Sequence, residues 1–188
     1  ATNDDFSSKF SVLISYFAPS FTTFLRHLFV AGFLVYPSAH SFIVALASDS
    51  YCFQNGIKPE IFIKDYSVVG CDPQKMGLGP YFAICDLLNK TNLKLDDIDL
   101  LEINEAFAAQ FLGCLKLLSV KFNCTVDELI LKTNMHGSGI GLGHPLGCSG
   151  SRIIVSLYHQ MIKEKKHYGI ASLCVGGGMG LAVLLERE

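Results

Sequence analysis

The chain has 188 residues with 15 Lys and Arg against 17 Asp and Glu, a formal charge of −2, which excludes the basic footprint of a nucleic-acid binder. Hydrophobic residues make up 50% and charged residues only 17%, so there is more apolar side chain than a small lone domain buries. That points to strands covered on both faces, to a large partner interface, or to both.

Residues 1–40 show no clear period, being crowded with Phe and Ser and interrupted by Pro19 and Pro37. Within them begins Leu28–Ala47, which carries no formal charge and has about the length that crosses a bilayer. Pro37, His40 and small polar breaks argue against a membrane helix there. Two buried strands joined by a turn at Tyr36–Ser38 are the expectation. From Ser41 the signals sharpen, with a buried strand over 41–48 and an alternating strand over 60–70. A loop punctuated by Pro73, Gly77, Gly79 and Pro80 leads to a helix over 81–91 with Ile84, Cys85 and Leu88 on one face.

A short strand over 96–103 runs into Asn104–Ala108 (NEAFA), and the spacing predicts a helix over 105–121 with Phe107, Phe111, Leu115 and Leu118 in one stripe. Thr125 and Glu128 have capping-box spacing for a short helix over 125–131. A glycine-rich loop, Gly139–Ser151, precedes a helix over 149–165 whose inward residues are Ile153, Ile154, Leu157 and Met161. Strands over 168–173 and 179–186 flank the triple glycine Gly176–Gly178. This order implies an α/β fold with a mixed, mainly parallel sheet and helices on both of its faces.

Three positions invite chemistry. Cys174 meets glycines that leave backbone N–H groups open to a developing oxyanion, and its thiol can act as acid or base. A buried cysteine before a glycine hairpin is the plainer alternative. His144, held between glycines and Pro145, suits a base for a thiol, although a structural loop histidine or a phosphate-binding loop reads equally well. His27, His40, His159 and His167 have no such setting. Asn104 and Glu105 could be no more than a helix cap and a first-turn acid. All three chemical positions are expected at strand ends, where open α/β sheets place their ligands. The seven cysteines (52, 71, 85, 114, 124, 148, 174) are odd in number and form no CxxC pair, against a zinc site or a disulfide framework, so no metal is expected.

Residues 57–188 resemble the C-terminal domain of the thiolases almost throughout. The resemblance lies in Gly70–Pro73, in Met76–Pro80 (MGLGP), in DDIDLLEINEAFAAQ, in the GHP loop and in the CVGGGMG ending. It implies an acyltransferase acting on acyl-CoA, either forming or thiolysing acetoacetyl-CoA or another 3-ketoacyl-CoA. Coenzyme A thioesters would be substrates, with no covalently bound cofactor. It also implies roles: His144 activates the nucleophilic cysteine, Cys174 shuttles a proton, Asn104 with His144 holds a water against the enolate oxygen, and Gly176 lends its N–H to a second oxyanion hole. Met76, Ala106 and Phe107 match acyl-pocket positions.

The departures lie upstream. The family's acyl-carrying cysteine sits in a C-x-S-G string, and the one such string here, Cys148-Ser149-Gly150, belongs to the GHP loop. Val30-Ala31-Gly32 fits a family string that then decays, leaving Val35 where a CoA-contacting serine is expected. Residues 1–50 are therefore read as a degenerate remnant of the end of the thiolase N-terminal domain, and 51–188 as the C-terminal domain. Such a chain is expected to be inactive alone and to pair with itself or with a companion N-terminal half. The alternative is a non-catalytic thiolase-like subunit or binding module. The cytoplasm is the expected location, with a mitochondrial or other organelle matrix as the alternative. A nucleotide-binding domain finds no GxGxxG or GxxxxGK[ST] string.

Overall fold

The computed structural model describes residues 10–13, 29–31 and 44–188. Seven strands of the described residues form one sheet: β1 (Phe10–Leu13), β2 (Phe29–Ala31), β3 (Val44–Ser48), β4 (Ile61–Gly70), β5 (Leu100–Ile103), β6 (Tyr168–Val175) and β7 (Met179–Arg187). Their order across the sheet is β2-β3-β1-β4-β7-β6-β5. Among the described residues six α-helices accompany them: α1 (Asp49–Gln54), α2 (Gly79–Thr91), α3 (Ala108–Phe122), α4 (Val126–Ile130), α5 (Gly139–Leu142) and α6 (Ser149–Glu164).

The α/β class, the mixed sheet and the helices stand as expected, but the sheet is not mainly parallel. Among the described strands, β5 and β6 are the parallel pair, and β4–β7, β6–β7 and the pairings of β1, β2 and β3 are antiparallel. The cause is long-range. β4 pairs not with the strand that follows it but with β7, which the glycine turn has already folded back along β6. In Leu28–Ala47 the two strands are β2 and β3, paired antiparallel, while the turn foreseen at 36–38 lies outside the described residues.

Helices cover both faces. On one, Ile84, Leu87 and Leu88 of α2 and Leu115 and Leu118 of α3 pack against Leu101, Ile103, Ile170, Ala182 and Leu184. On the other, Ile153, Leu157 and Met161 of α6 meet Ile61, Leu100, Ala171 and Leu185. Alternation along β5, β6 and β7 sends successive residues to opposite clusters, and burying them supplies the main driving force for this arrangement. Where α2 starts over β7 there is no space for side chains: a Cβ on Gly79 would stand 2.5 Å from the Met179 carbonyl oxygen. Two glycines there let helix and strand backbones touch.

Several boundaries differ from the pattern. The loop before α2 contains a 3-10 segment over Pro73–Leu78, begun by Asp72 accepting from the Gln74 N–H. Residues 95–97 form another 3-10 turn, so β5 starts at Leu100. The glycine loop holds one helical turn, α5, in which Leu142 N–H donates to Ser138 O. The capping box of α4 is present as anticipated, with Thr125 and Glu128 bonded reciprocally.

Candidate active site

The site is built at the C-terminal ends of β5 and β6. Asn104 follows β5 directly, and its backbone N–H donates to the carbonyl of Ser172 in β6 at 2.9 Å, so the parallel ladder runs on by one bond. Ser172 is two residues from Cys174, which lies inside β6 rather than after it. His144 does not follow a strand; it stands between α5 and α6, after Gly143 at φ 92.

The structure brings Asn104 and His144 together. The Asn104 side chain is fully buried, and its Nδ2 lies 3.5 Å from both ring nitrogens of His144. Two further groups hold this pair, both from the first turn of α6. Ser149 Oγ is 2.6 Å from His144 Nδ1 and donates to Pro145 O at 3.2 Å. With the hydroxyl proton on Pro145 O, Ser149 accepts from Nδ1–H, and the lone pair of the imidazole is then at Nε2. Arg152 Nη2 donates to Asn104 Oδ1 at 3.4 Å and to Ser138 Oγ at 3.0 Å.

Glu105 is not a first-turn acid of α3, which begins at Ala108. Its carboxylate accepts from Ile140 N–H at 3.2 Å and from Asn134 Nδ2 at 3.1 Å. Asn134, at φ 51, also bonds both the N–H and the C=O of Ile103. These bonds tie the NEAFA segment to the start of the glycine loop and delay the helix. They press Gly139 so closely on Glu105 that a Cβ there would meet the Glu105 carbonyl at 2.7 Å. Asn104 is therefore no helix cap; that position is taken by Phe107, a residue 63% exposed.

Cys174 is half-buried, and burial pushes its thiol above the ordinary range, outweighing a backbone hydrogen bond that pulls the other way. It is therefore a thiol at neutral pH, a group with a proton to give. Cys114, fully buried and offering its S–H to Gly77 O, is pushed up to about 11 by burial. Gly176 is exposed at the start of the turn, in which Gly177 and Gly178 take φ 85 and 90. The turn is fastened by Cys71 N–H donating to Gly178 O at 2.7 Å. Met76 and Ala106 are partly exposed, on the 3-10 segment and in the NEAFA loop. No hydrogen bond joins Cys174 to Asn104 or His144 among the described residues.

Sequence reasoning missed Ser149, Arg152, Ser138, Asn134 and Glu102. The last is 1% exposed, and its two oxygens have no hydrogen-bond partner among the described residues. An acid inside an otherwise apolar strand, LLEI, was the available signal for it. Ser149 lies one helical turn before Ile153, on the side of α6 expected to face inward, and that was the signal for a buried hydroxyl.

A family profile described as the thiolase C-terminal domain matches residues 57–187. The chain is 44% identical over 142 residues to a 3-ketoacyl-CoA thiolase of Photorhabdus laumondii, covering 76% of this chain and 35% of that protein. Among solved structures, the Bacillus anthracis acetyl-CoA acetyltransferase superposes with a TM-score of 0.69 at 45% identity, covering 78% of this chain and 35% of that one. Human mitochondrial 3-ketoacyl-CoA thiolase in complex with CoA gives 0.71 at 40% identity, covering 79% and 36%. The chain thus spans about a third of the length of the relatives it matches. With the profile spanning more than half of its residues, the chain belongs to the thiolase family and carries that family's C-terminal domain.

Proposed function

We propose that this chain supplies the base, the proton relay and the oxyanion-binding groups of an acyl-CoA acyltransferase that forms or thiolyses acetoacetyl-CoA or another 3-ketoacyl-CoA. The observation that carries the reading is the buried Asn104–His144 contact, braced by Ser149 and Arg152 at the end of β5, beside the strand β6 that bears Cys174. In this reading His144 Nε2 takes the proton of an acyl-carrying cysteine supplied from outside these 188 residues. Cys174, protonated at neutral pH, returns a proton to the substrate α-carbon or to the departing thiol. Asn104 and His144 hold a water against the thioester enolate oxygen, and the Gly176 N–H serves the second oxyanion. Met76, Ala106 and Phe107 border the acyl group.

Only part of that apparatus is in this chain, which therefore works with a companion N-terminal half or in an oligomer. Residues 1–50 are its poorly matching remnant and 51–188 its working domain. A thiolase-like subunit that pairs without turning over is the second reading. It is favoured by large apolar residues exposed near the His144 loop, among them Ile140, Leu142 and Leu146, the last at 83%. Seven free cysteines suit a reducing cytoplasm or organelle matrix. No helix of the described residues is long and apolar enough to cross a membrane.

The test is thiolysis of acetoacetyl-CoA by free CoA, followed for the chain alone and for the chain co-expressed with a thiolase N-terminal half bearing the C-x-S-G cysteine. The reading expects turnover only in the pair, lost on His144→Ala or Cys174→Ala. Turnover by the chain alone, surviving Cys148→Ala, overturns the division of labour. A folded pair that never turns over selects the second reading.

A further inference from the structure

Two charged side chains stand behind the Asn104–His144 pair, Arg152, which braces Asn104, and Glu102, which none of the roles above uses. Arg152, on α6, is 3% exposed, and Glu102, on β5, is almost wholly buried beside it. Each feels the other's charge, yet no hydrogen bond joins them: both Glu102 oxygens and the Arg152 Nε and Nη1 are without partners among the described residues. Burying a charge without full pairing is costly, so a fold that keeps two such groups needs a reason beyond packing. The group that Arg152 does engage is the informative one. Its Nη2 reaches Asn104 Oδ1 and Ser138 Oγ.

A guanidinium has donors and no acceptor. The Asn104 atom facing it must therefore be the carbonyl oxygen, and the amide nitrogen must face His144. Rotated by half a turn, the same side chain would set an N–H against the guanidinium and an acceptor against the imidazole. We propose that Arg152 is a positioning residue: with Glu102 as its buried counter-charge, it fixes the Asn104 amide with Nδ2 toward the His144 ring. Ser149, three residues earlier on α6, holds the other side of the ring. The first turn of α6 thus orders both members of the pair, and the imidazole meets a donor on the Asn104 side. This rests on the proposed acyltransferase reading for its purpose, but not for its measurement.

The test is nuclear magnetic resonance on the 188-residue chain labelled at Asn and His nitrogens, with the Asn104 side-chain signal identified by its loss in Asn104→Asp. The wild-type chain should show a cross-peak between the Asn104 Nδ2 protons and the carbon-bound protons of the His144 ring. A charge-assisted hydrogen bond biases the two amide orientations by roughly tenfold or more, so Arg152→Met should bring them toward parity and reduce that cross-peak to about half. The His144 ring nitrogen shifts should move with it, a readout that a purely structural arginine would leave alone in a folded chain. Arg152→Lys, which keeps a donor, should retain more of the cross-peak than Arg152→Met.

If Arg152→Met fails to fold, the double variant Glu102→Leu/Arg152→Met decides, because replacing both members of a buried pair by apolar groups is commonly tolerated. Absence of the cross-peak in the wild-type chain overturns the proposal, as does its persistence, with unmoved His144 shifts, in the double variant. Loss of the cross-peak in Arg152→Met, with a wild-type pair that folds but never turns over, sinks the catalytic reading and leaves the positioning role standing.

Discussion

The two ends of the β5–β6 pair treat polar groups in opposite ways. At the N-terminal end, Asp99 accepts from the N–H groups of His167 and Tyr168 at 2.9 and 3.0 Å. Lys132 donates to the carbonyls of Leu95 and Ile98, and Glu186 takes Lys64 and the Tyr168 hydroxyl. Each of these carboxylates and ammonium groups has named partners, and the result is a fastening. At the C-terminal end, Glu102 and Arg152 are more deeply buried and less completely bonded, around a side chain whose free donor points at an imidazole. One end spends its polarity on holding strands together, and the other keeps it poised. The same ladder therefore carries a fully bonded end and a sparsely bonded end within four residues of β5.

That contrast can be broken or sharpened. The largest effect is expected from Arg152→Met, which strands Glu102 without its counter-charge: chemical denaturation near pH 8 should show a loss of about 3–5 kcal/mol, mostly recovered in Glu102→Leu/Arg152→Met. A single variant as stable as wild type would remove the distinction between the two ends. Next comes pH. Burial raises the Glu102 carboxyl to about 7, from an ordinary value of 4.5. The folded chain then binds this proton more tightly than the unfolded chain, so stability is full below about pH 4.5 and falls as pH rises toward 7, by on the order of 3 kcal/mol. Glu102→Gln should flatten the slope of the urea midpoint between pH 4.5 and 8, and an unchanged slope would locate the titration elsewhere.

Smaller effects are expected at the fastening end. Asp99→Ala leaves two backbone N–H groups without their acceptor and should cost about 1–3 kcal/mol, while leaving the His144 ring nitrogen shifts where they were. A shift in His144 on that change would mean that the ends are coupled. Thr125→Ala, which removes the cap of α4, should lower the urea midpoint by the equivalent of about 1 kcal/mol and touch neither end.

What could be read from the sequence was what is local. The α6 stripe at Ile153, Leu157 and Met161, the Thr125–Glu128 box and the glycine turn after β6 are written in spacings of a few residues. The antiparallel majority was not legible, because the pairing of β4 with β7 joins residues as far apart as Ile61 and Arg187. The same limit explains the site. Asn104, His144 and Cys174 stand in short distinctive strings, whereas Arg152 and Ser149 read as ordinary helix positions until the helix is laid over β5. The start of α3 shifted for a related reason: Glu105 is claimed by Ile140 and Asn134, which no helical period anticipates.

The position of β7 between β4 and β6 also sets a timetable. Lys64 and Glu186, neighbours in the finished sheet, are 122 residues apart along the chain. At a synthesis rate of about 5–20 residues per second, β4 leaves the ribosome on the order of 10 s before the strand that covers its edge. Over that interval its unpaired N–H and C=O groups form an open template for any other strand, the exposure that recruits chaperones and seeds aggregation. The edge of β4, at the centre of this sheet, is thus covered only once β7, the last of its strands in the chain, has been made.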